Sequence, residues 1–388
     1  MFRKTNGVNA MKYIINGTIL MPQGEVKDRA LAIDGARIAG IVEEVPSHAE
    51  TVDAGGGYVA PGLVDVHCHG FMGWDASNGS LDELRAMSRQ AARWGTTSWL
   101  PTTMTLDWRV LEKCFAAIRA ARDESLAETW RGAQVLGCHA EGPFINMKKK
   151  GAQAGSSIQT PDIKKLRPWT DVVRLMTVAP EVDGALEFIR AAKALGVTIS
   201  MGHTAATCEE ALAGVDAGVT HSTHTFNAMT PLTHREPGVA GAALLDGRVY
   251  CELIADTFHV SPLLFPLMAK QKGDRLVLIT DSIQEAHLPD GPHERDGQTI
   301  VVNGIRLRFP NGTIAGSALT MDQAVRNFLK YTGLPLYEVV NMASLYPARS
   351  IGVDATKGSL ESGKDADILI TDADFNVKGT FVRGEKVC

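Results

Sequence analysis

Three observations predict a (β/α)8 barrel, an α/β fold, with a small β-sandwich beside it. Between residues 61 and 353 lie eight short apolar runs rich in Val, Ile and Leu. That texture suits parallel strands buried on both faces. Helical patterns such as LDELRAMSRQAARW and EEALAGVDA separate several of these runs. Both chain ends, by contrast, read as short strands punctuated by Gly and Asp-Gly turns. The division that follows is 1–60 for the N-terminal part of the sandwich, 61–353 for the barrel and 354–388 for the C-terminal part. A chain of 388 residues, 45% of them hydrophobic, is long enough for this arrangement. A doubly wound open sheet is the alternative, but no GxGxxG follows the first strand.

The elements can be taken in order. KYIINGTIL, RALAIDGARIAGIVE and TVDAGGGYVAPG give the first sandwich strands. Residues 1–10 read as an extension without structural role, Met11 being a second candidate start, and this N-terminus lacks the apolar core of a secretion signal. Barrel strands are expected at 63–67, 97–103, 133–141, 172–180, 197–203, 219–224, 249–259 and 275–281. Ser80 with Glu83, Thr207 with Glu210, and Thr320 with Gln323 fit the capping-box pattern of helix starts. Gly95 and Gly333 stand where helices stop. The tail KGSLESGKDADILITDADFNVKGTFVRGEKVC returns to strands and is expected to pair with the first 60 residues.

Composition narrows the function. A formal net charge of −5 argues against a nucleic-acid partner. Apolar runs such as LVLIT are far too short to span a bilayer, which argues against a membrane protein. Six cysteines at irregular spacing, none in a CxxC pair, suggest reduced thiols in a cytoplasmic protein. Cys68 and Cys138 neighbour candidate ligands but should point away from them by strand alternation, as packing residues.

The chemistry lies at the strand ends. In LVDVHCHG, residues i and i+2 of a strand share a face, so His67 and His69 sit together with Cys68 opposite. Later strands end with Glu141 in CHAEGPF, His203 in SMGHT, His224 in HSTHTFNAM, His259 in IADTFH and Asp281 in LITDS. Singly, each has a bland explanation: a hydrogen-bonded structural histidine, a turn cap for Glu141, a helix N-cap for Asp281. All seven fall at the same end of their strands, however, and in a barrel those ends converge on one mouth. Imidazoles with carboxylates suit Zn2+ or Fe2+ better than Mg2+ or Ca2+, which prefer oxygen shells. His139 and His221 are read as supporting or packing residues.

PGLVDVHCHG, the later strand-end histidines, Asp281 and GKDADILITD together resemble the amidohydrolase superfamily. Within it, AEGPFINMKKKGAQ, THTFNAMTPLTHREPG, IADTFHV and GTIAGSALTMDQAVRN are similar to the amino-sugar-phosphate deacetylases, from about residue 12 to the C-terminus. The resemblance implies hydrolysis of the acetamide of N-acetylglucosamine 6-phosphate, with one or two divalent metal ions (Zn or Fe) per subunit. It implies Glu141, His203 and His224 as the main metal ligands, His67 and His69 as ligands of a second ion bridged by Glu141, and Asp281 as the catalytic acid–base. It further implies substrate contacts from Ala152, Gln153, Asn227, Ala228, His259, Ile314, Ala315 and Gly316. Gln153 stands where some members carry a histidine. Arg235 is implied as a phosphate contact that crosses the interface of a homodimer. The galactosamine epimer, another metal-dependent amidohydrolase activity and a non-catalytic scaffold are the rival readings. A scaffold should lack some ligands, and none is missing here.

Overall fold

The computed structural model describes residues 11–295 and 297–388. The N-terminal extension expected at residues 1–10 lies outside the described residues. Eight parallel strands form the barrel: Leu63–Cys68, Thr96–Thr103, a third in two pieces (Gln134–Val135 and Cys138–Glu141), Val173–Val178, Thr198–Met201, Val219–Ser222, Tyr250–Ile254 and Leu276–Ile279. The break in the third falls at Leu136-Gly137, where Gly137 adopts φ 144°, a conformation that side-chain-bearing residues avoid. First and last strands meet through the Asp281 N–H on the His67 carbonyl (2.8 Å) and the Thr280 hydroxyl on the Asp65 carboxylate (2.6 Å). Side chains such as Val64, Val66, Leu100, Met176, Ile199 and Leu278 are fully buried, as the apolar texture requires.

Helices pack outside. In Leu81–Arg93 the buried Leu84, Met87, Ser88, Ala91 and Ala92 recur at the spacing of one helical face. The three expected capping boxes differ in outcome. Thr207 and Glu210 make the full reciprocal box. Ser80 accepts from the Glu83 N–H, but Glu83 turns instead to the Asp75 N–H (3.0 Å) and the Asn78 amide (2.8 Å). The Thr320 box is absent: its hydroxyl donates to Asp322 (2.6 Å), and Gln323 bonds Asn327 (2.6 Å), so neither side chain reaches the orphan N–H groups. Gly333 ends its helix in the left-handed conformation, φ 65°, as expected, and Gly95 follows the first helix at φ 82°.

Both chain ends build the sandwich. One sheet runs Arg37–Val42, Ala30–Asp34, Lys12–Ile15, Glu50–Asp53. The other runs Glu385–Lys386, Val377–Val382, Ile368–Thr371, Tyr58–Pro61, Thr18–Met21, Gly24–Val26, so the C-terminal strands pair with N-terminal ones. Ile14, Ile19, Leu31, Ile33, Ile38, Ile368 and Phe381 fill the space between.

One element was not anticipated. Gly291–Arg295, Gln298–Asn303, Arg306–Arg308 and Ile314–Ser317 form a separate four-stranded antiparallel sheet after the eighth barrel strand. Its sequence signal is the alternation in QTIVVNGIRLR with Asn303-Gly304 and Asn311-Gly312 at turns. Its last strand is tied to the barrel mouth, since the Ser317 N–H donates to the Asp281 carbonyl (3.0 Å).

Candidate metal centre and active site

Strand pairing ends at Met201, Ser222, Ile254 and Ile279, so His203, His224, His259 and Asp281 stand one or more residues past their strands, in the loops of the mouth. His203, His224, Ala228 and Asp281 have φ of 48°, 30°, 49° and 47°, conformations unfavourable for residues with a Cβ. Such strain persists where surrounding bonds over-determine it, and it clusters at functional sites.

Two ligand groups result. Glu141 Oε1 lies 3.1 Å from His203 Nε2 and 3.0 Å from His224 Nε2, and those two nitrogens are 3.1 Å apart. His67 Nε2 and His69 Nε2 are 3.3 Å apart, and Asp281 Oδ1 lies 3.4 Å and 3.5 Å from them. Glu141 faces this group too, with Oε1 3.4 Å from His67 and Oε2 3.3 Å from His69. Pairs of imidazole nitrogens aimed at one point repel unless a proton or cation lies between them. The donor set, nitrogen with carboxylate oxygen, fits a borderline-soft divalent ion. His203 is held from behind by its Nδ1–H on the Lys149 carbonyl (2.9 Å), and His69 by the Thr102 carbonyl (3.1 Å). Such outer bonds fix ring orientation.

The charge balance agrees. Burial works against a charged His69, but the Asp281 and Glu141 carboxylates outweigh it and lift the group to about 10. Burial likewise opposes charge on His224, yet Glu141, Asp281 and Glu252 raise it to about 9. Glu141, though buried, is held well below the usual carboxylate range by His203 and His67. His139, deep under the site, is driven the other way by burial and by the neighbouring His67. The buried carboxylates thus favour a positive charge at the centre of the mouth.

A cavity of about 390 Å³ opens over the cluster. Ala152, Asn227, Ala228, His259 and the segment Ile314, Ala315, Gly316 all line it, as do Lys148 and Lys149. Gln153 lines it but is engaged: its amide donates to Glu141, and its carbonyl oxygen accepts the Thr105 N–H (2.6 Å). Its position makes it a brace for Glu141. Arg235 is the exception. It is exposed on the loop 231–237 and does not line this cavity. Cys68 and Cys138 are buried free thiols, and all six cysteines are unpaired.

Three carboxylates escaped the sequence reading. Glu252, fully buried on the seventh strand, accepts from His67 Nδ1 (2.9 Å) and from the His224 N–H (2.8 Å). Asp256 accepts from His259 Nδ1 (2.7 Å) and from the N–H groups of Phe258 and His259, both at 2.8 Å. Asp65 joins the first and last strands, and burial pushes it up to about 6. Asp65 and Glu252 had a signal, a carboxylate inside an apolar strand (LVDVH, YCELI), where an unpaired charge is costly, while Asp256 lies just past its strand.

With this geometry in hand, the chain is placed by its relatives. It belongs to the amidohydrolase family, whose model matches residues 58–387. It is 38% identical over 371 residues to the N-acetylgalactosamine-6-phosphate deacetylase of Escherichia coli O157:H7, covering 95% of this chain and 97% of that protein. It is 35% identical over 387 residues to the N-acetylglucosamine-6-phosphate deacetylase of Bacillus subtilis (strain 168), covering 97% of each. The crystal structure of the N-acetylglucosamine-6-phosphate deacetylase from Pasteurella multocida matches with a TM-score of 0.91 at 32% identity, covering 97% of this chain and 99% of that one.

Proposed function

We propose that this chain is a metal-dependent deacetylase that hydrolyses the acetamide of N-acetylglucosamine 6-phosphate to glucosamine 6-phosphate and acetate. One observation carries the reading: Glu141, His203, His224, His69 and Asp281 line one cavity, with the buried His67 Nε2 3.3 Å from His69 Nε2. In our reading Glu141, His203 and His224 would hold one divalent cation, Zn2+ or Fe2+, and His67 and His69, together with Glu141, would hold a second. When bound, the cation polarises the amide carbonyl and lowers the pKa of a water from about 15.7 toward about 7. Asp281 takes the proton of the attacking water and passes it to the leaving amine. Asp256 occupies His259 Nδ1, which leaves Nε2 for the substrate.

The same cavity would hold the sugar phosphate. Asn227, Ala228, Ala152 and His259 contact the substrate, and Ile314, Ala315 and Gly316 close over the sugar. Lys148 and Lys149 bring positive charge to the wall of the cavity. Arg235 acts in the neighbouring subunit of a homodimer, because its exposed loop stands clear of its own cavity. A planar guanidinium there grips two phosphate oxygens. We keep 1–60, 61–353 and 354–388 as the structural divisions. Among the described residues no helix is long and apolar enough to cross a membrane. The six free cysteines suit the reducing cytoplasm.

The galacto epimer is the second reading, favoured by the relative at 38% identity that acts on it. The test is acetate release from both epimers of the 6-phosphate and from unphosphorylated N-acetylglucosamine. Faster turnover of the gluco phosphate supports the proposal. Preference for the galacto phosphate exchanges the epimer, and equal rates with and without phosphate reject a sugar-phosphate enzyme.

A further inference from the structure

Below the two ligand groups lies a buried carboxylate that the proposed chemistry leaves without a role. Glu252 is fully buried on the seventh strand. Its Oε2 accepts from His67 Nδ1 at 2.9 Å and from the His224 N–H at 2.8 Å. Its Oε1 lies 3.3 Å from His221 Nδ1, and His221 Nε2 reaches the Ser350 hydroxyl at 3.1 Å. One carboxylate therefore touches the chain at a side chain from the first strand and at the backbone of the loop after the sixth. His67 presents Nε2 to His69 and Asp281, and His224 presents Nε2 to Glu141.

We propose that Glu252 is a positioning residue that selects the tautomer of His67 for metal binding. This rests on the metal-centre reading above. An ionised carboxylate can only accept hydrogen bonds. Facing Glu252, His67 must carry its proton on Nδ1, which leaves the Nε2 lone pair free beside His69 and Asp281. By accepting from the His224 N–H, the same oxygen fixes the strained backbone that aims His224 at Glu141. The location is fully buried, so bulk solvent does not compete for these bonds.

Glu252→Leu set against Glu252→Gln separates this role from a structural one. Glutamine can keep its carbonyl oxygen on His67 Nδ1 and the His224 N–H, with its NH2 toward His221 Nδ1. Leucine removes the acceptor, so nothing holds the His67 proton on Nδ1. The probe is Co2+ added to metal-free protein, followed by its visible absorption, with no substrate present. Expected for Glu252→Leu is a fall in Co2+ affinity of roughly 10–100-fold, the usual effect of losing an outer partner of a ligating histidine, with Glu252→Gln staying close to the unaltered protein. Uptake by Glu252→Leu superimposable on that of the unaltered protein would overturn the proposal, as would an equal loss in both variants. If Glu252→Leu does not fold, a crystal structure of the unaltered protein with Zn2+ decides. His67 Nε2 on the ion with Nδ1 still on Glu252 supports the proposal, and a His67 ring turned away from Glu252 overturns it. Since neither measurement uses substrate, a failed deacetylation assay leaves this inference standing or falling by itself.

Discussion

In the proposed mechanism Asp281 carries the acid–base step. It sits past the eighth strand at φ 47°, with Oδ1 facing two imidazoles, and His67, His69 and His224 lower its proton affinity despite burial. Its fold contribution is mainly backbone, through the N–H on His67 and the carbonyl that accepts from Ser317. Asp281→Asn keeps those bonds and removes the base. Turnover should fall by about 10^2–10^4-fold, the span of a general acid–base group, with circular dichroism unchanged. Near-normal turnover would take Asp281 out of the mechanism. At this scale the sequence was legible wherever a polar side chain ended an apolar run, because strand alternation and barrel topology say where such ends meet. Glu252 and Asp65 were less legible. They stand inside the runs, where their purpose depends on which imidazole or strand lies opposite, and a single strand does not contain that information.

At the scale of elements, the caps show where local sequence loses to tertiary contacts. Thr207 and Thr320 head similar capping-box patterns, yet only Thr207 satisfies orphan N–H groups. The reason lies in the competing partners. Asp322 stands ready to accept from the Thr320 hydroxyl while also pairing with Arg326 at 2.7 Å. Thr207→Ala should therefore cost about 1 kcal/mol, the usual loss of a cap, and Thr320→Ala distinctly less, both read from urea unfolding. Equal costs for the two would mean that Thr320 contributes through contacts other than a cap. The barrel strands and the return of the tail to the sandwich were readable from apolar runs and turns. The four-stranded sheet at 291–317 was not assigned, although its last strand carries Ile314–Gly316 to the mouth. Its strands are short and half-exposed, so the alternation is faint, and its place over the mouth comes from pairing with the loop after strand eight.

At the scale of the molecule, two arrangements span parts that the sequence keeps far apart. The first is the proposed dimer. Arg235→Ala should lower kcat/KM for the phosphorylated sugar by roughly 10–150-fold, since a charge-assisted hydrogen bond contributes about 1.5–3 kcal/mol at about 1.4 kcal/mol per tenfold. Mixing that variant with Asp281→Asn under subunit exchange should restore activity, because each mixed dimer then has one site with both residues intact. No recovery in demonstrably exchanged dimers would place Arg235 at its own subunit's site or outside the reaction. The second is the joint between barrel and sandwich. Lys357, only 3% exposed, donates to Asp367 (2.7 Å), pairs with Asp365 (2.9 Å) and reaches Gln134 of the third barrel strand. Asp367 in turn accepts from the Arg383 N–H (2.9 Å), and its carbonyl accepts from Gly62 (2.9 Å) just before the first barrel strand. One ammonium group thus sits where the C-terminal strands, the N-terminal crossover and the barrel wall meet. Lys357→Met preserves length and apolar bulk but leaves Asp367 buried without its cation. Removing one partner of a buried pair costs about 3–5 kcal/mol, a large share of a typical stability of about 5–15 kcal/mol. Adding Asp367→Asn removes the stranded charge, so the double variant should be less destabilised than the sum of the two single ones. Urea unfolding followed separately by tryptophan fluorescence and far-ultraviolet circular dichroism reads both effects. If Lys357→Met and Asp367→Asn prove strictly additive, the ammonium group does not hold the two parts together through Asp367, and the joint rests on the strand pairing of Ile368–Thr371 with Tyr58–Pro61 instead.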